Sequence, residues 1–218
     1  MFFPFYDSTY ILVLIGVIVS MMASAKLNAT YQRYSAVRSM CGLTGAEAAK
    51  RLLNSQGIYD VTIRRVPGSL TDHYDPRSKT VNLSDAVYGS TSIAAIGVAA
   101  HECGHAMQDA ADYSPLRIRA ALVPAANLGS QLAWPLILVG LLLGSGGSGL
   151  AFAGIVLFSL AVLFQLVTLP VEYNASHRAV TLLDSTGILA GQEVGQTRSV
   201  LNAAALTYVA AAAASILQ

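Results

Sequence analysis

The sequence predicts a mainly α-helical integral membrane protein, with about four transmembrane helices and a small α+β core facing water. Three observations carry this. Hydrophobic residues make up 54 % of the 218 residues and charged residues only 11 %, where soluble domains carry about 25 % charged. The apolar residues are gathered into long runs without a charge. The charged residues are gathered between those runs. The same arithmetic excludes other classes. Disordered chains combine low hydrophobicity with high net charge. A nucleic-acid partner is not expected at net charge +1, with no basic cluster among the 13 Lys and Arg. Two cysteines do not make a disulfide scaffold.

Residues 1–25 are expected to form an N-terminal anchor. Residues 9–25 are 17 without a charge, near the lower limit for a spanning helix. Phe2, Phe3, Phe5, Tyr6 and Tyr10 gather at its start, as in an interfacial aromatic belt. A signal peptide is the rival reading, and Ala23-Ser24-Ala25 resembles a cleavage site. No Lys or Arg precedes the apolar run, however, and Asp7 stands there instead, which favours the anchor.

Residues 26–119 read as a cytoplasmic part with a small sheet. Thr44 and Glu47 form the pattern of a capping box, which opens an amphipathic helix to about Ser55. Gln56-Gly57 ends it. Residues 59–66 are rich in β-branched side chains and alternate in part, as a strand does. Residues 70–74 and 80–83 flank Asp75-Pro-Arg-Ser-Lys79, a hairpin pattern. Ser84-Asp85 starts a helical stretch. Ser90 or Ser92 then caps a long apolar helix over residues 93–111.

Residues 120–171 read as a transmembrane hairpin. Residues 120–143 are 24 without a charge, and residues 150–171 are 22 more. A Gly-Ser turn at 144–149 joins them. Pro124 and Pro135 are expected to kink the first arm. Asn127 and Gln131 stand four apart there and are expected to turn toward the other helices. Residues 172–198 follow as a cytoplasmic helix. Residues 199–218 are Ala-rich and uncharged, either a fourth span or a helix packed on the others, with the span favoured. All 13 Lys and Arg fall between the first span and the hairpin or after it. The positive-inside rule therefore puts 26–119 and 172–198 in the cytoplasm and the N-terminus outside.

The chemical signal is His101-Glu102-Cys103-Gly104-His105, the pattern HExxH, in the second half of the long apolar helix. Positions i and i+4 share a helix face, so both imidazoles reach one ion. Zinc accepts two neutral histidines, a carboxylate and a water in an open tetrahedral site. Glu102 is placed to take a proton from the water that such a metal activates. Two structural histidines on an apolar helix would instead need polar partners. The longer pattern HExxHxxGxxH fails, because Gln108 and Ala111 occupy its last two positions. A glutamate ligand is then needed, and only Glu47, Glu172 and Glu193 lie outside the motif. Glu172 directly follows the second hairpin arm. Antiparallel geometry brings it back toward His101 and His105, and a metal compensates a carboxylate at a membrane boundary.

The chain resembles the YugP-type neutral zinc metallopeptidases, small bacterial membrane proteins. The resemblance rests on LTGAEAA from Leu43, DHYDP from Asp72, VNLS from Val81, AAHECGHAMQ from Ala99 and LPVEYNASHRA from Leu169. More distantly it is similar to the HtpX and CAAX-prenyl endopeptidases, integral-membrane gluzincins whose third-ligand motif is ExxxD. The resemblance implies a zincin-like (minigluzincin) core, zinc as cofactor and a site in the bacterial inner membrane. Glu172 fits the Glu of ExxxD, but Ser176 stands where those families have Asp. Asp109 or Asp184 is then expected to orient a ligand histidine.

His177 and Arg178 are candidates for stabilising the oxyanion; for Arg178 the alternative is a charge facing lipid phosphates. His73 reads as a structural or substrate-contacting residue rather than a ligand. The strand at 80–83 is expected to be an edge that holds extended peptide. Cys103 is expected to point into the core, away from the metal face. The sequence thus points to a membrane zinc endopeptidase acting on peptides or membrane proteins. A zinc-stabilised scaffold without catalysis is the alternative, and Glu102 argues against it. A membrane partner protein or self-association remains open.

Overall fold

The computed structural model describes residues 9–218. The aromatic belt expected at Phe2, Phe3, Phe5 and Tyr6 lies outside the described residues. Helix α1 runs over Thr9–Ser35, α2 over Gly45–Ser55, then strands β1 Thr62–Val66, β2 His73–Asp75 and β3 Thr80–Ser84. Helices α3 Asp85–Tyr88, α4 Ile93–Ala110 and α5 Ser114–Leu142 follow. A 3-10 turn at Gly144–Gly147 leads into α6 Ser148–Ser185, and α7 Gln192–Leu217 closes the chain.

Four of these helices are long and apolar enough to cross a membrane: α1 from Tyr10, α5, α6 with the turn before it, and α7. The protein is a multi-pass, mainly helical membrane protein with a small three-stranded sheet. The Ala-rich C-terminal segment qualifies by length and composition, because α7 gathers it with Gln192–Arg198 into one 26-residue helix. Helix α6 has 38 residues. The second hairpin arm and the segment carrying Glu172 are one element, and the helix continues through Pro170.

The chain divides into two units. The first holds the described residues to Val19, Ser114–Val171 and Tyr208–Gln218. Its helices meet at small residues. Gly129 abuts the Leu157 backbone, Gly140 abuts Ala151, and Gly154 abuts Ala133 and Ile137. Small residues let apolar helices approach closely, where packing replaces the hydrophobic drive that lipid does not supply. Trp134 and Phe158 pack edge to face with centroids 6.4 Å apart. Asn127 and Gln131 are exposed on α5, which corrects the expectation that they turn inward. The inward positions are Ala126, Gly129 and Ala133, because close packing selects residues without bulk.

The second unit is Ser20–Tyr113 with Glu172–Thr207. Helix α2 starts where the sequence says: Thr44 Oγ1 accepts from the Glu47 amide at 3.2 Å, and Glu47 Oε2 accepts from the Thr44 amide at 2.8 Å. Its apolar face, Ala48, Ala49, Leu52 and Leu53, is fully buried and packs on α4. Ser92 caps α4, accepting from the Ala95 amide at 3.2 Å. Of the 18 residues of α4, only Val98, His101, Asp109 and Ala110 are not buried. A helix apolar nearly all round belongs at the centre of a core.

The hairpin expected around Asp75–Lys79 forms, with β2 antiparallel to β3. The strand order is β1-β3-β2, however, and β1 runs parallel to β3 with Thr62 opposite Thr80. The strand at 80–83 is therefore central, not the expected edge. Parallel pairing rests on contacts distant in sequence, which no local pattern announces. Val81 and Leu83 are fully buried accordingly. Asp72 ties the approach to β2 onto the end of β3, accepting from the Ser84 amide at 2.7 Å and from its hydroxyl at 2.9 Å.

Candidate metal centre

His101 and His105 stand one helical turn apart on α4, with rings edge to face and centroids 4.8 Å apart. Glu172 comes to them from α6. Its Oε2 lies 3.1 Å from His101 Nε2 and 3.6 Å from His105 Nε2. Among the described residues, these three form the group able to hold a metal ion, with ligand atoms all within 4.8 Å of one another. Tetrahedral zinc with bonds of about 2.1 Å sets its ligands about 3.4 Å apart, and the observed separations straddle that value. Two imidazole nitrogens and one carboxylate oxygen are also the donor types zinc prefers in an open site. The residues fit the ion. Glu172 is 2 % exposed, and a carboxylate so buried requires compensation.

The approach of α6 to α4 depends on Gly104. A Cβ there would lie 2.5 Å from the Ala175 carbonyl oxygen, so any larger residue would push the helices apart. Sequence reasoning missed this role. Its signal was a glycine inside a helix, which costs about 1 kcal/mol relative to alanine unless packing requires it.

Each imidazole is oriented through its Nδ1. His101 Nδ1 meets Ser176 Oγ at 3.1 Å, and His105 Nδ1 meets Gln108 Oε1 at 3.0 Å. Neither expected carboxylate does this. Asp109 accepts the Tyr74 hydroxyl at 2.8 Å. Asp184 is exposed and lies about 18 Å along α6 from Glu172, at a rise of about 1.5 Å per residue. The serine at the ExxxD position itself orients His101. Burial and then the Asp109 hydrogen bond hold the Tyr74 hydroxyl well above its ordinary pKa, so it stays a donor.

Glu102 is 7 % exposed and sits beside the first histidine. Burial opposes protonation of His105, but the hydrogen bond to Glu172 and the charges of Glu102 and Glu172 outweigh it and hold the imidazole pKa above its ordinary value. Glu47 is used in the α2 cap, and Glu193 accepts the Met40 amide at 2.8 Å, which leaves Glu172 as the glutamate that meets the imidazoles.

The other singled-out residues lie elsewhere. His73 Nδ1 meets the Thr71 carbonyl at 2.9 Å, and its Nε2 meets Asn82 Nδ2 at 3.1 Å. It braces the sheet. His177 is exposed and lines a shallow cavity of about 180 Å³ with Gln56, Met107 and Arg178. Arg178 Nε donates to Asn174 Oδ1 at 2.8 Å. Cys103 is buried against α2, its Sγ 3.6 Å from the Ala49 carbonyl, and burial pushes its thiol pKa up.

Four apolar helices and an HExxH helix meeting a buried glutamate define a membrane protein with a metallopeptidase-type centre. The family model described as "Putative neutral zinc metallopeptidase" matches residues 9–218, and the chain belongs to that family. A relative named "Putative membrane protease YugP", from Bacillus subtilis (strain 168), is 48 % identical over 200 residues, 92 % of this chain and 88 % of the relative. No solved structure matches the chain.

Proposed function

We propose that the protein is a zinc-dependent endopeptidase of the gluzincin type, embedded in the bacterial inner membrane and cutting membrane or membrane-associated proteins. The observation that carries this reading is the meeting of His101, His105 and Glu172 beside Glu102. His101, His105 and Glu172 would hold the ion. When bound, zinc supplies Lewis acidity and brings the pKa of a bound water to about 7. Glu102 acts as general base: it takes the proton of the attacking water as the carbonyl carbon gains its new C–O bond. It then returns that proton to the amine nitrogen as the C–N bond breaks, so atoms and charge balance. The scaffold alternative has no use for a base beside the ligands.

The site faces the cytoplasm in this reading, because the Lys and Arg flank it. Substrates are peptides or membrane proteins presented at that surface. The outward amides of Asn127 and Gln131 support association in the bilayer with a second copy or another membrane protein, since an amide against acyl chains is costly. The test of the chemistry is Glu102→Gln, which keeps the shape and removes the base. Purified Glu102→Gln should bind zinc as the native protein does and cleave a model substrate roughly 100- to 10,000-fold more slowly. Unchanged turnover would overturn the mechanism.

A further inference from the structure

We propose that the outer face of α5 is a self-association seam, occupied by α5 of a second copy of this chain lying parallel to the first. The proposal rests on α5 crossing the bilayer, as read above, and is independent of the zinc chemistry. Two amides carry it. Asn127 and Gln131 are the eighth and twelfth residues of the 24-residue charge-free run at 120–143. At a rise of about 1.5 Å per residue, Gln131 stands at about the middle of that run and Asn127 about 7 Å from it. A hydrocarbon core is about 30 Å thick, so both amides fall well inside it. Both are exposed on α5, and among the described residues neither side chain meets a hydrogen-bond partner.

The backbone adds acceptors on the same side. Pro124 and Pro135 have no N–H, so the carbonyls of Ala120 and Gln131, four residues earlier, lose their usual donors. Lipid supplies no substitute, and at membrane depth such carbonyls are satisfied by neighbouring helices. Ala120, Pro124, Asn127, Gln131, Trp134 and Leu138 are all exposed. They follow one another at spacings of four and three in alternation, the repeat of a helix–helix seam. Ala126, Gly129 and Ala133 pack inward. At about 100° per residue they lie on the opposite side of α5. The amides therefore sit near the middle of the face that is left uncovered.

The chemistry selects a second copy as the occupant. An amide both donates and accepts, so it pairs with its own kind. Two copies in one membrane share an orientation. A two-fold axis along the membrane normal then sets Asn127 opposite Asn127 and Gln131 opposite Gln131, each at equal depth. Both amides are satisfied at once, and closed two-fold dimers are the commonest assembly. A different membrane protein would need two polar groups at the same depth and the same spacing.

The test uses the full-length chain, with Cys41 and Cys103 replaced, in phosphatidylcholine vesicles. Leu138→Cys lies on the seam and should cross-link to its counterpart under mild oxidation. Val139→Cys is exposed but turned about 100° away and should not, because a disulfide needs Cα atoms within about 7 Å. Association is then read by energy transfer between donor- and acceptor-labelled copies across protein-to-lipid ratios. Asn127→Leu with Gln131→Leu removes two interhelical hydrogen bonds and should weaken association roughly 10- to 300-fold. Asn127→Gln keeps an amide and should retain most of it. Should the leucine variant fail to fold, the cysteine pair still decides, since it leaves both amides in place. A chain that stays monomeric at every ratio would overturn the seam. So would unchanged association in the leucine variant, or cross-linking at Val139→Cys in place of Leu138→Cys. Cross-linking of Leu138→Cys in intact cells to a different protein alone would assign the face to that protein and overturn self-association. Zinc affinity, measured on the same samples by chelator competition, should be equal in the native and leucine chains. A dimer that binds no zinc would sink the metal reading alone; a zinc-binding monomer would sink the seam alone.

Discussion

Gly104 sets two opposing effects against each other. Replacing a helical glycine by alanine ordinarily stabilises a helix by about 1 kcal/mol. Here the new Cβ would meet the Ala175 carbonyl oxygen at 2.5 Å, and a backbone atom in a packed helix cannot give way cheaply. Overpacking costs about 1–3 kcal/mol, so the net effect is destabilising. The displacement also separates Glu172 from the imidazoles. Gly104→Ala should therefore lower both the unfolding temperature and the zinc affinity, read by thermal unfolding and chelator competition. A variant that gains stability and keeps its zinc would show that α4 and α6 tolerate a wider spacing.

At the scale of elements, α2 is the part of the core with the clearest local cause. Thr44→Ala removes the side-chain acceptor of its first turn and should cost about 1 kcal/mol, measured by denaturant unfolding. Glu47 gives that cap a pH dependence. Hydrogen bonds donated by the Thr44 backbone amide and then by its hydroxyl hold the Glu47 carboxyl below the usual pKa. Its contribution is then present above the unfolded pKa of about 4.3 and lost as pH falls through the lower folded value. The stability advantage of the native protein over Glu47→Gln should appear at neutral pH and vanish in acid; a constant difference across that range would contradict the cap. The sheet has the opposite character. Its order β1-β3-β2 leaves β1 and β2 as its edges, so any peptide added as a strand pairs there rather than on β3.

For the whole molecule, two expectations concern the membrane and the metal. The turn at 144–149 should be outside the cell and Lys79 inside, by the distribution of Lys and Arg. A membrane-impermeant thiol reagent applied to intact cells should label Ser145→Cys and spare Lys79→Cys, each made in a chain whose Cys41 and Cys103 are replaced. The reverse pattern would invert the topology. Zinc binding should also stabilise the fold, because it ties Glu172 of α6 to the histidine pair of α4, two parts of the chain that unfolding separates. At a zinc concentration 100 times the dissociation constant the gain is about 2.7 kcal/mol. Chelation should lower the unfolding temperature, and in Glu172→Gln that shift should shrink.

The sequence by itself determined the spans, the cap of α2, the hairpin around Asp75–Lys79 and the HExxH pair, because each is a local pattern. Apolar runs, a Thr-x-x-Glu and a spacing of four residues state their structure within a turn or two of chain. It also singled out Glu172, since few glutamates were available. Only the tertiary structure decided the central place of β3, the outward face of Asn127 and Gln131, and the partners of the ligand histidines. Those facts depend on which distant segments meet. Ser176, Gln108 and Asn174 carry no signal of their own in sequence. Gln108 reaches His105 from the next turn of α4 itself, whereas Ser176 reaches His101 only because α6 comes within hydrogen-bond distance, and the bare backbone of Gly104 allows that approach between α4 and α6.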